Sequence, residues 1–305
     1  MIINYLISPH PSLQLYVDNY ILCTSDGERI VHTGIWPASS ETSIIFYMAD
    51  RPSHKTSEGK FSHLQSDQGC IVGLQPQFSG IVSFSGIYFT FIIMFKANGL
   101  NKLFSMPATD IVNKIYHLDD VFGVKAKNLN EQLLNARDIH QMALFADAFL
   151  LFFLNMKKAY LHLCDGITFI SNELFNNTPL LSVEQYAKKA NMSVRNFGRR
   201  FMEQTGVSPK LYCRLLRFNN AINRKLKKPQ INWTSIAYEC GYFDQMHMIK
   251  DFKEFANVNP SALFKNNNEF TRPRIDVAGL DADTFTKVNS SLLQEKFIIV
   301  KRTSF

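Results

Sequence analysis

The sequence predicts an α+β protein of two domains: an N-terminal small β-sandwich or barrel with added helices, and a C-terminal domain made only of helices. Three observations lead to this prediction. Short β-type stretches separated by glycine and polar residues fill the chain to about residue 97. A nine-residue pattern occurs twice in the C-terminal half, and positive charge is concentrated around it. The 305 residues suffice for two hydrophobic cores.

The first hundred residues alternate between candidate strands and turns. The expected segments are a short helix at 11–16, extended chain at 17–24, strands at 42–49, 69–75 and 80–84, and a polar loop at 51–67. Residues 88–95 are apolar at nearly every position, which is typical of a strand buried on both faces. Strands of this length and spacing predict a small sandwich or barrel.

Between residues 98 and 160 the pattern becomes helical, with helices expected at 99–104, 124–135 and 139–160. The last helix carries a broad apolar stripe formed by Met142, Phe145, Ala146, Phe149, Phe152 and Phe153. Such a stripe either closes the core of the N-terminal domain or forms a dimer interface, and the core is the more common use. Residues 157–165 are expected to form a hinge, followed by a helix at 167–175.

The C-terminal half contains one supersecondary unit twice. Residues 201–209 are matched by 252–260 at a constant offset of 51 positions, which indicates a duplicated unit. In the first copy, Ser182 and Ser193 are suited to cap two successive helices, and Gly206 is suited to end the second helix in a left-handed conformation. Two short helices joined by a tight bend form a helix-turn-helix.

The second copy has the same signals. Asn232 or Thr234 is suited to cap its first helix, and Asp244 to cap its second. Gly241 supplies the bend between them. A linking helix at about 209–226 joins the two units and would span roughly 27 Å, at a rise of about 1.5 Å per residue.

The excess positive charge of the chain is confined to this duplicated region. Residues 165–265 contain 15 Lys and Arg against 8 Asp and Glu, so their net charge of +7 equals that of the whole chain. Between Glu184 and Lys228, 12 basic residues face 2 acidic ones. A solvated helical surface normally mixes both signs, so the imbalance favours a polyanionic partner over a merely soluble basic surface.

These residues resemble the double helix-turn-helix domain of the AraC/XylS family of transcription regulators. The stretch 181–209 is similar to the family's first motif, and 236–260 is similar to its second, more specific motif. Two positions depart from the family pattern, because Met248 replaces a usual aromatic residue and Asn257 a usual glycine. The resemblance implies a sequence-specific regulator whose partners are double-stranded DNA and RNA polymerase.

The buried face of each second helix determines which residues are left to read bases. With Phe197 and Phe201 inside, Arg195 and Arg199 project outward together, beside Asn196. Arginine pairs with guanine, and asparagine with adenine, through two hydrogen bonds each. The same helical phase in the second unit turns outward Gln245, Met246, His247 and Lys250. The resemblance places base contacts at these same positions.

Other basic residues of the duplicated region are expected to contact phosphates or to be solvated charges. They are Lys188, Lys189, Arg214 and Arg217. Phosphate contacts add affinity without sequence preference, because every nucleotide carries the same phosphate.

The N-terminal half resembles the cupin-like sensor domain that often precedes this DNA-binding pair. The likeness rests on the short segments 34–37, 73–76 and 95–100. It implies that this domain binds a small-molecule effector or forms a homodimer. The sequence therefore divides into a sensor domain at 1–160, a DNA-binding domain at 165–265 and a polar tail at 266–305.

An enzyme is the alternative class. A metal-binding cupin-type enzyme fused to a basic helical domain would need metal ligands, and His54 and His63 flank a polar loop in the N-terminal half. No glutamate and third histidine complete a recognisable spacing, and the sequence has no glycine-rich phosphate loop and no Cys-x-x-Cys. We therefore expect no enzymatic activity, no catalytic residue, no metal and no cofactor.

Three features predict a cytoplasmic protein. The five cysteines are scattered without metal-type spacing, which is typical of reduced thiols. The N-terminus lacks the basic-then-apolar pattern of a signal peptide. Apolar stretches such as 148–154 are too short to cross a bilayer.

Overall fold

The computed structural model describes residues 2–63, 69–157, 165–176 and 182–265. Within these ranges the chain forms an antiparallel β-sheet domain followed by a helical domain, as the sequence predicts. Most of the expected hinge, the first residue of the first motif (Leu181) and the tail from residue 266 lie outside the described residues.

The N-terminal sheet is antiparallel throughout. Its strands are β1 Ile3–Ile7, β2 Val17–Trp36, β3 Thr42–Tyr47, β4 Ser53–Thr56, β5 Phe61–His63, β6 Cys70–Val72, β7 Gly80–Phe95 and β8 Ile115–His117. The main path runs in the order β1-β2-β7-β3-β6-β8, and the β4–β5 hairpin is attached to β7. The long strands β2 and β7 therefore form the centre of the sheet.

The central strands distribute their side chains between two apolar layers, because successive residues of a strand point to opposite faces. Phe91 and Ile93 of β7 lie in one core with the helices of this domain. Ile92 and Met94 lie in a second core on the other face. All four side chains are buried, which confirms that residues 88–95 form a strand covered on both sides.

Three β-segments differ from the sequence prediction. The strands expected at 80–84 and 88–95 are one strand, β7, whose pairing with β2 continues through Gly86. Strand β2 runs on to Trp36, past its expected end at residue 24, with an irregularity between Thr24 and Arg29. The expected polar loop at 51–67 contains the β4–β5 hairpin. Polar strands lack the apolar alternation on which the prediction relies.

Helices cover one face of the sheet. They are α1 Gly99–Phe104, α2 Ala108–Ile111, α3 Leu118–Phe122, α4 Val124–Asn135 and α5 Ile139–Lys157. The predicted helix at 11–16 is a 3-10 turn at Pro11–Leu13. The short helices α2 and α3 have no counterpart in the prediction, because a single turn leaves no periodic pattern.

Helix α5 packs its apolar stripe mainly into the core. Met142, Ala146 and Phe149 are buried there, and Phe145 and Phe153 are partly buried against it. Three apolar residues of this helix are exposed: Phe152 at 41%, and Leu144 and Met156 at 66% each. By length and composition alone, Ile139–Met156 could cross a membrane, which corrects the expectation drawn from 148–154. Its packing in the sheet–helix core accounts for this apolar composition.

The C-terminal half is helical and has its own core. Its helices are α6 Gly166–Asn176, α7 Val183–Lys189, α8 Val194–Thr205, α9 Pro209–Lys227, α10 Trp233–Glu239, α11 Gln245–Ala256 and α12 Pro260–Lys265. Fully buried aromatic residues dominate this core: Phe197, Phe201, Tyr212, Phe218, Phe252 and Phe255. The linking helix predicted at about 209–226 is α9, which ends within one residue of its expected end.

The N-terminal half contacts both copies of the helical unit. Ala38, Leu74 and Ala97 of the N-terminal half are part of the C-terminal core. The Ala38 N–H donates to the carbonyl oxygen of Phe255 at 2.7 Å, near the end of α11. Helix α8 packs against α2, where a side chain on Gly206 would collide with Val112.

A group of buried and partly buried polar side chains, here called the Asp165 cluster, joins α1 to α6 and α8. It consists of Asn98, Lys102, Asp165, Thr168, Arg200 and Gln204. Asp165 Oδ2 accepts from Lys102 Nζ at 2.8 Å and from Gln204 Nε2 at 3.0 Å. Asn98 Nδ2 donates to both Thr168 Oγ1 and Gln204 Oε1 at 2.9 Å. The two halves are thus connected by directional polar contacts as well as by apolar packing.

The charge of Asp165 is stabilised in the folded state. Burial alone would raise the pKa of its carboxyl group, but hydrogen bonds from Lys102, Thr168 and Gln204 outweigh burial and lower the pKa to about 2. Because the folded pKa lies below the ordinary value of 3.8, folding is favoured by the ionised form. This stabilisation is fully present above about pH 4 and is lost as the pH falls through the folded pKa near 2.

Replacing Asp165 with asparagine should remove this stabilisation. We expect Asp165→Asn to lower the free energy of unfolding at pH 7 by about 2 kcal/mol, the equivalent of the pKa shift. The fall in stability between pH 4 and pH 2 should be shallower in the variant. Denaturant unfolding across this pH range measures both effects. Glu203→Gln is the control, because its side chain is 60% exposed. Equal behaviour of the two variants would contradict the assignment.

Candidate DNA-binding site

The first helical unit is delimited by the residues that the sequence singles out. Ser182 Oγ accepts from the Gln185 N–H, and the Gln185 side chain accepts from the Ser182 N–H, which forms a capping box at the start of α7. Ser193 caps α8 by accepting from the Asn196 N–H. Helix α8 ends at Gly206, whose φ of 89° is readily adopted only by glycine.

The second unit is built in the same way. Asn232, rather than Thr234, caps α10 by accepting from the Ser235 N–H at 2.8 Å. Asp244 caps α11. Helix α11 ends at Asn257 with a φ of 59°, so this asparagine takes the left-handed position that glycine holds in the first unit.

The bend between the two helices is the same in both copies. In the first, the Met192 N–H donates to Ala187 O at 3.0 Å; in the second, the Tyr242 N–H donates to Ala237 O at 2.9 Å. Each bend contains one residue with positive φ, Asn191 at 54° in the first copy and Gly241 at 75° in the second. The sequence repeat is therefore a structural repeat of one helix-turn-helix unit.

Burial fixes the rotation of each second helix about its axis. Phe197 and Phe201 of α8 are completely buried, as are Met248 and Phe252 of α11. The opposite faces of both helices are consequently turned toward solvent. Because the buried pairs occupy corresponding positions in the repeat, the two helices expose corresponding faces.

On α8, Arg195 and Arg199 are exposed and Asn196 is half-buried beside them. Arg199 Nη2 donates to Asn196 Oδ1 at 3.1 Å, and its guanidinium also lies 3.5 Å from the carboxylate of Glu203. These contacts are largely exposed to solvent and are therefore weak. They orient the arginine, and a new partner can replace them at little cost in free energy. The three predicted reading residues of the first unit form one polar surface.

On α11, Met246 and Lys250 are exposed, whereas Gln245 and His247 are half-buried. Gln245 Oε1 accepts from the Thr234 hydroxyl at 2.7 Å. The His247 ring packs edge-on against Tyr242, with ring centroids 5.6 Å apart. Met246 and Lys250 are therefore more accessible to a ligand than the other two predicted residues.

Arg214 differs from the expectation that it contacts phosphate or solvent. Its guanidinium donates to Asp251 Oδ1 at 2.7 Å and also pairs with Glu254. Asp251 is 1% exposed. The hydrogen bond to Glu254, and after it the hydrogen bond to Asp251, raise the pKa of Arg214 above its already high ordinary value. The arginine is thus committed to holding α9 against α11.

Two of the other expected phosphate contacts are also engaged within the protein. Arg217 Nη1 donates to Gly241 O at 3.2 Å, and its guanidinium lies over the Tyr242 ring. Lys189 forms an ion pair with Glu173 of α6 while remaining partly exposed. Lys188 is exposed on the last turn of α7. Among these four basic residues, Lys188 is the most accessible to a phosphate.

Of the two histidines considered for the enzyme alternative, the structure describes the side chain of His54. His54 is buried with its Nε2 2.8 Å from Ser79 O and its ring against Trp36, and the side chain of His63 lies outside the described residues. In the described ranges, no group of three His, Cys, Asp or Glu residues is placed to hold a metal ion. Burial raises the pKa of Cys240 and Cys213 to about 11, so both thiols stay protonated and weakly nucleophilic at neutral pH.

The sequence did not predict the contacts between helix α8 and the N-terminal half. Gln204 of α8 is 8% exposed and bonds to both Asn98 and Asp165. Its spacing from Phe197 and Phe201 places Gln204 on the buried face of α8. A polar residue on a buried face was the one sequence signal that could have indicated a buried hydrogen-bond partner. The partners of such a residue depend on tertiary packing, which the local pattern does not contain.

Comparison with known families assigns two parts of the chain. Residues 186–266 match a helix-turn-helix domain family, and residues 5–117 match a domain of unknown function, DUF6597. An uncharacterized HTH-type transcriptional regulator of Haemophilus influenzae is 32% identical over 33% of this chain and 37% of its own length. The HTH-type transcriptional activator RhaS of Escherichia coli is 31% identical over 28% of this chain and 30% of its own length. The match thus spans about a third of each of these curated relatives.

Two solved structures are similar to the chain, with sequence identities of 14% and 25%. The crystal structure of ToxT from Vibrio cholerae O395 has 14% identity and a TM-score of 0.44, over 88% of this chain and 98% of that chain. The DNA-binding domain of AdpA, solved in complex with a target DNA, has 25% identity and a TM-score of 0.32, over 36% of this chain and 99% of that chain.

The ion pairs of Arg214 should contribute to stability. Arg214→Ala leaves Asp251 buried without its partner, and breaking a buried pair in this way costs about 3–5 kcal/mol. Chemical denaturation measures the loss. The double variant Arg214→Met/Asp251→Leu should recover most of it, because both charges are then removed. If Arg214→Ala left stability unchanged but weakened binding to DNA of any sequence, Arg214 would be a phosphate contact instead.

Proposed function

We propose that the protein is a sequence-specific regulator of transcription that binds double-stranded DNA. The proposal is supported by the match of residues 186–266 to a helix-turn-helix domain family, together with the resemblance of this region to the AraC/XylS-type double helix-turn-helix. The observation that supports the proposal most strongly is the pair of capped helices, α8 and α11, whose buried residues leave corresponding polar faces exposed. A helix of this kind fits the major groove, where base edges can be read.

The linking helix sets the distance between the two reading helices. Helix α9 has 19 residues and is therefore roughly 28 Å long at about 1.5 Å per residue. Successive major grooves on one side of B-DNA are about 34 Å apart. A single copy of the protein would therefore place α8 and α11 in adjacent major grooves on one side of the duplex.

The two helices would read different bases. Arg195 and Arg199 suit guanine, and Asn196 suits adenine, by paired hydrogen bonds. In the second unit, the 61% exposed side chain of Met246 is apolar and suits the methyl group of thymine. Lys250 suits guanine or a phosphate, and Gln245 and His247 would contribute after small rearrangements of their present contacts.

Affinity would come from the basic surface, with Lys188 as the phosphate contact that the structure favours most. Lys189 could join it at the cost of a partly exposed ion pair. Arg214 and Arg217 would act indirectly by holding the second unit together. The net charge of +7 in residues 165–265 would also steer the protein toward DNA.

The N-terminal half would act as the regulatory domain. We assign to it the binding of a small-molecule effector or the formation of a homodimer, and RNA polymerase is the further partner that the family resemblance implies. The exposed Leu144, Phe152 and Met156 on α5 favour a homodimer as the second candidate role for this half. The function proposed requires no enzymatic step and no cofactor, and the protein would act in the cytoplasm.

The reading role of Arg199 is tested by comparing DNA sites. Arg199→Ala should cost about 1–3 kcal/mol on the preferred site and should relax the preference at one base pair. Lys188→Ala is the matched control, because it should weaken binding to all sequences alike and reduce the salt slope by about one. Binding titrations on the preferred site and on its single-base variants, at several salt concentrations, provide the measurement.

A second control separates reading from folding. Phe201→Ala should cost about 3–5 kcal/mol of stability by opening a cavity in the first unit, which thermal unfolding detects. Arg199→Ala should leave the melting temperature nearly unchanged. An equal loss of affinity of Arg199→Ala on every single-base variant would mean that this arginine contacts phosphate, and the assigned reading face would be wrong.

A further inference from the structure

Gly198 stands in the interior of α8, the helix that carries Arg195 and Arg199. It lies within the α-helical span Val194–Thr205 and has no positive φ, so its backbone conformation does not require glycine. Glycine destabilises a helix interior relative to alanine, since it loses more backbone freedom on folding. A glycine at this position therefore needs a reason that outweighs the lost helix stability.

The folded protein supplies no such reason. Apart from its two chain neighbours and the nearby backbone of its own helix, a Cβ atom built on Gly198 would meet no atom within 4 Å. Among the glycines in the described part of the chain, every other one either has positive φ or has a neighbour that a Cβ would approach closely. Gly99 and Gly166 illustrate the second case, with backbone oxygens 1.8 Å and 2.6 Å from the Cβ position.

The surroundings of Gly198 are those of a contact surface. It is next to Arg199 in sequence and one helical turn from Arg195, the two exposed arginines of this helix. Val194 and Met202, four residues before and after it, are 45% and 43% exposed. Gly198 itself is half-buried, and it leaves the helix backbone without a side chain between these exposed neighbours.

The second unit lacks this feature. The position that corresponds to Gly198, at the 51-residue offset, is Ile249, which is half-buried. Both helices have caps and buried residues at corresponding positions, so the helix-turn-helix architecture itself does not require glycine here. The requirement is specific to what the first unit contacts.

We propose that Gly198 is a close-approach point at which the wall of the DNA major groove packs directly against the backbone of α8. The absence of a side chain lets the helix sit deeper in the groove and brings Arg195 and Arg199 within reach of base edges. This inference rests on the proposed function and adds to it a residue that sets the depth of the first reading helix.

Adding volume at this position provides the test. Gly198→Ala should raise the melting temperature by about 2–4 °C, because alanine favours the helix and the site is open. The same variant should bind the preferred DNA site about tenfold more weakly, and Gly198→Leu should bind more weakly still, because a larger side chain holds the helix further from the bases. Thermal unfolding and binding titrations are made on the full chain.

The control is Asn128→Ala, an exposed position in the interior of α4. It also improves helix propensity, so it should raise the melting temperature without changing the affinity for DNA. Unchanged affinity in Gly198→Ala and Gly198→Leu would overturn the proposal, and so would a lower melting temperature in Gly198→Ala, which would mean that the site is filled in the protein. Failure of the unmodified protein to prefer any DNA sequence would overturn the proposed function itself.

Discussion

The burial of apolar residues on one side of α8 and one side of α11 is the constraint on which the proposed function depends. Once Phe197 and Phe201 are inside, the helical repeat leaves Arg195 and Arg199 no other direction than outward. Met248 and Phe252 impose the same rotation on α11. The caps at both ends of each helix fix where it begins and ends. Packing and capping together therefore determine which residues are exposed, and the charges of those residues play no part in placing them.

The basic charge of the C-terminal half divides into two groups with different consequences. Arg214 and Arg217 point into contacts with α11 and its preceding bend, where they stabilise the second unit. Arg195, Arg199 and Lys188 remain exposed, so a ligand can compete for them. Counting charges predicts a polyanionic partner but overestimates the surface available to it. The Asp165 cluster adds a further consequence, because Gln204 connects the first reading helix directly to Asn98 of the N-terminal half. Arg200 is connected to the same half through Asp165, which accepts from Lys102.

Local signals in the sequence were sufficient to predict the helix-turn-helix units. They were insufficient to predict the parts of the structure that depend on tertiary contacts. Ser182, Ser193 and Asp244 cap the helices that they were predicted to cap, because capping needs only residues a few positions away. The β4–β5 hairpin was missed since its strands are polar, and β7 was divided in two by its glycine. Gln204 could be placed on the buried face, but its partners Asn98 and Asp165 come from distant parts of the chain.

The most direct test of this account is the selection of bound sequences from random DNA by the unmodified protein. Two rigidly linked reading helices predict a bipartite site whose half-sites are separated by about one helical turn, or 10–10.5 base pairs. The half-sites bound by one copy should differ in sequence, because α8 presents arginines and an asparagine whereas α11 presents Met246 and Lys250. Recovery of a single half-site, of two half-sites without fixed spacing, or of no preferred sequence would contradict the account.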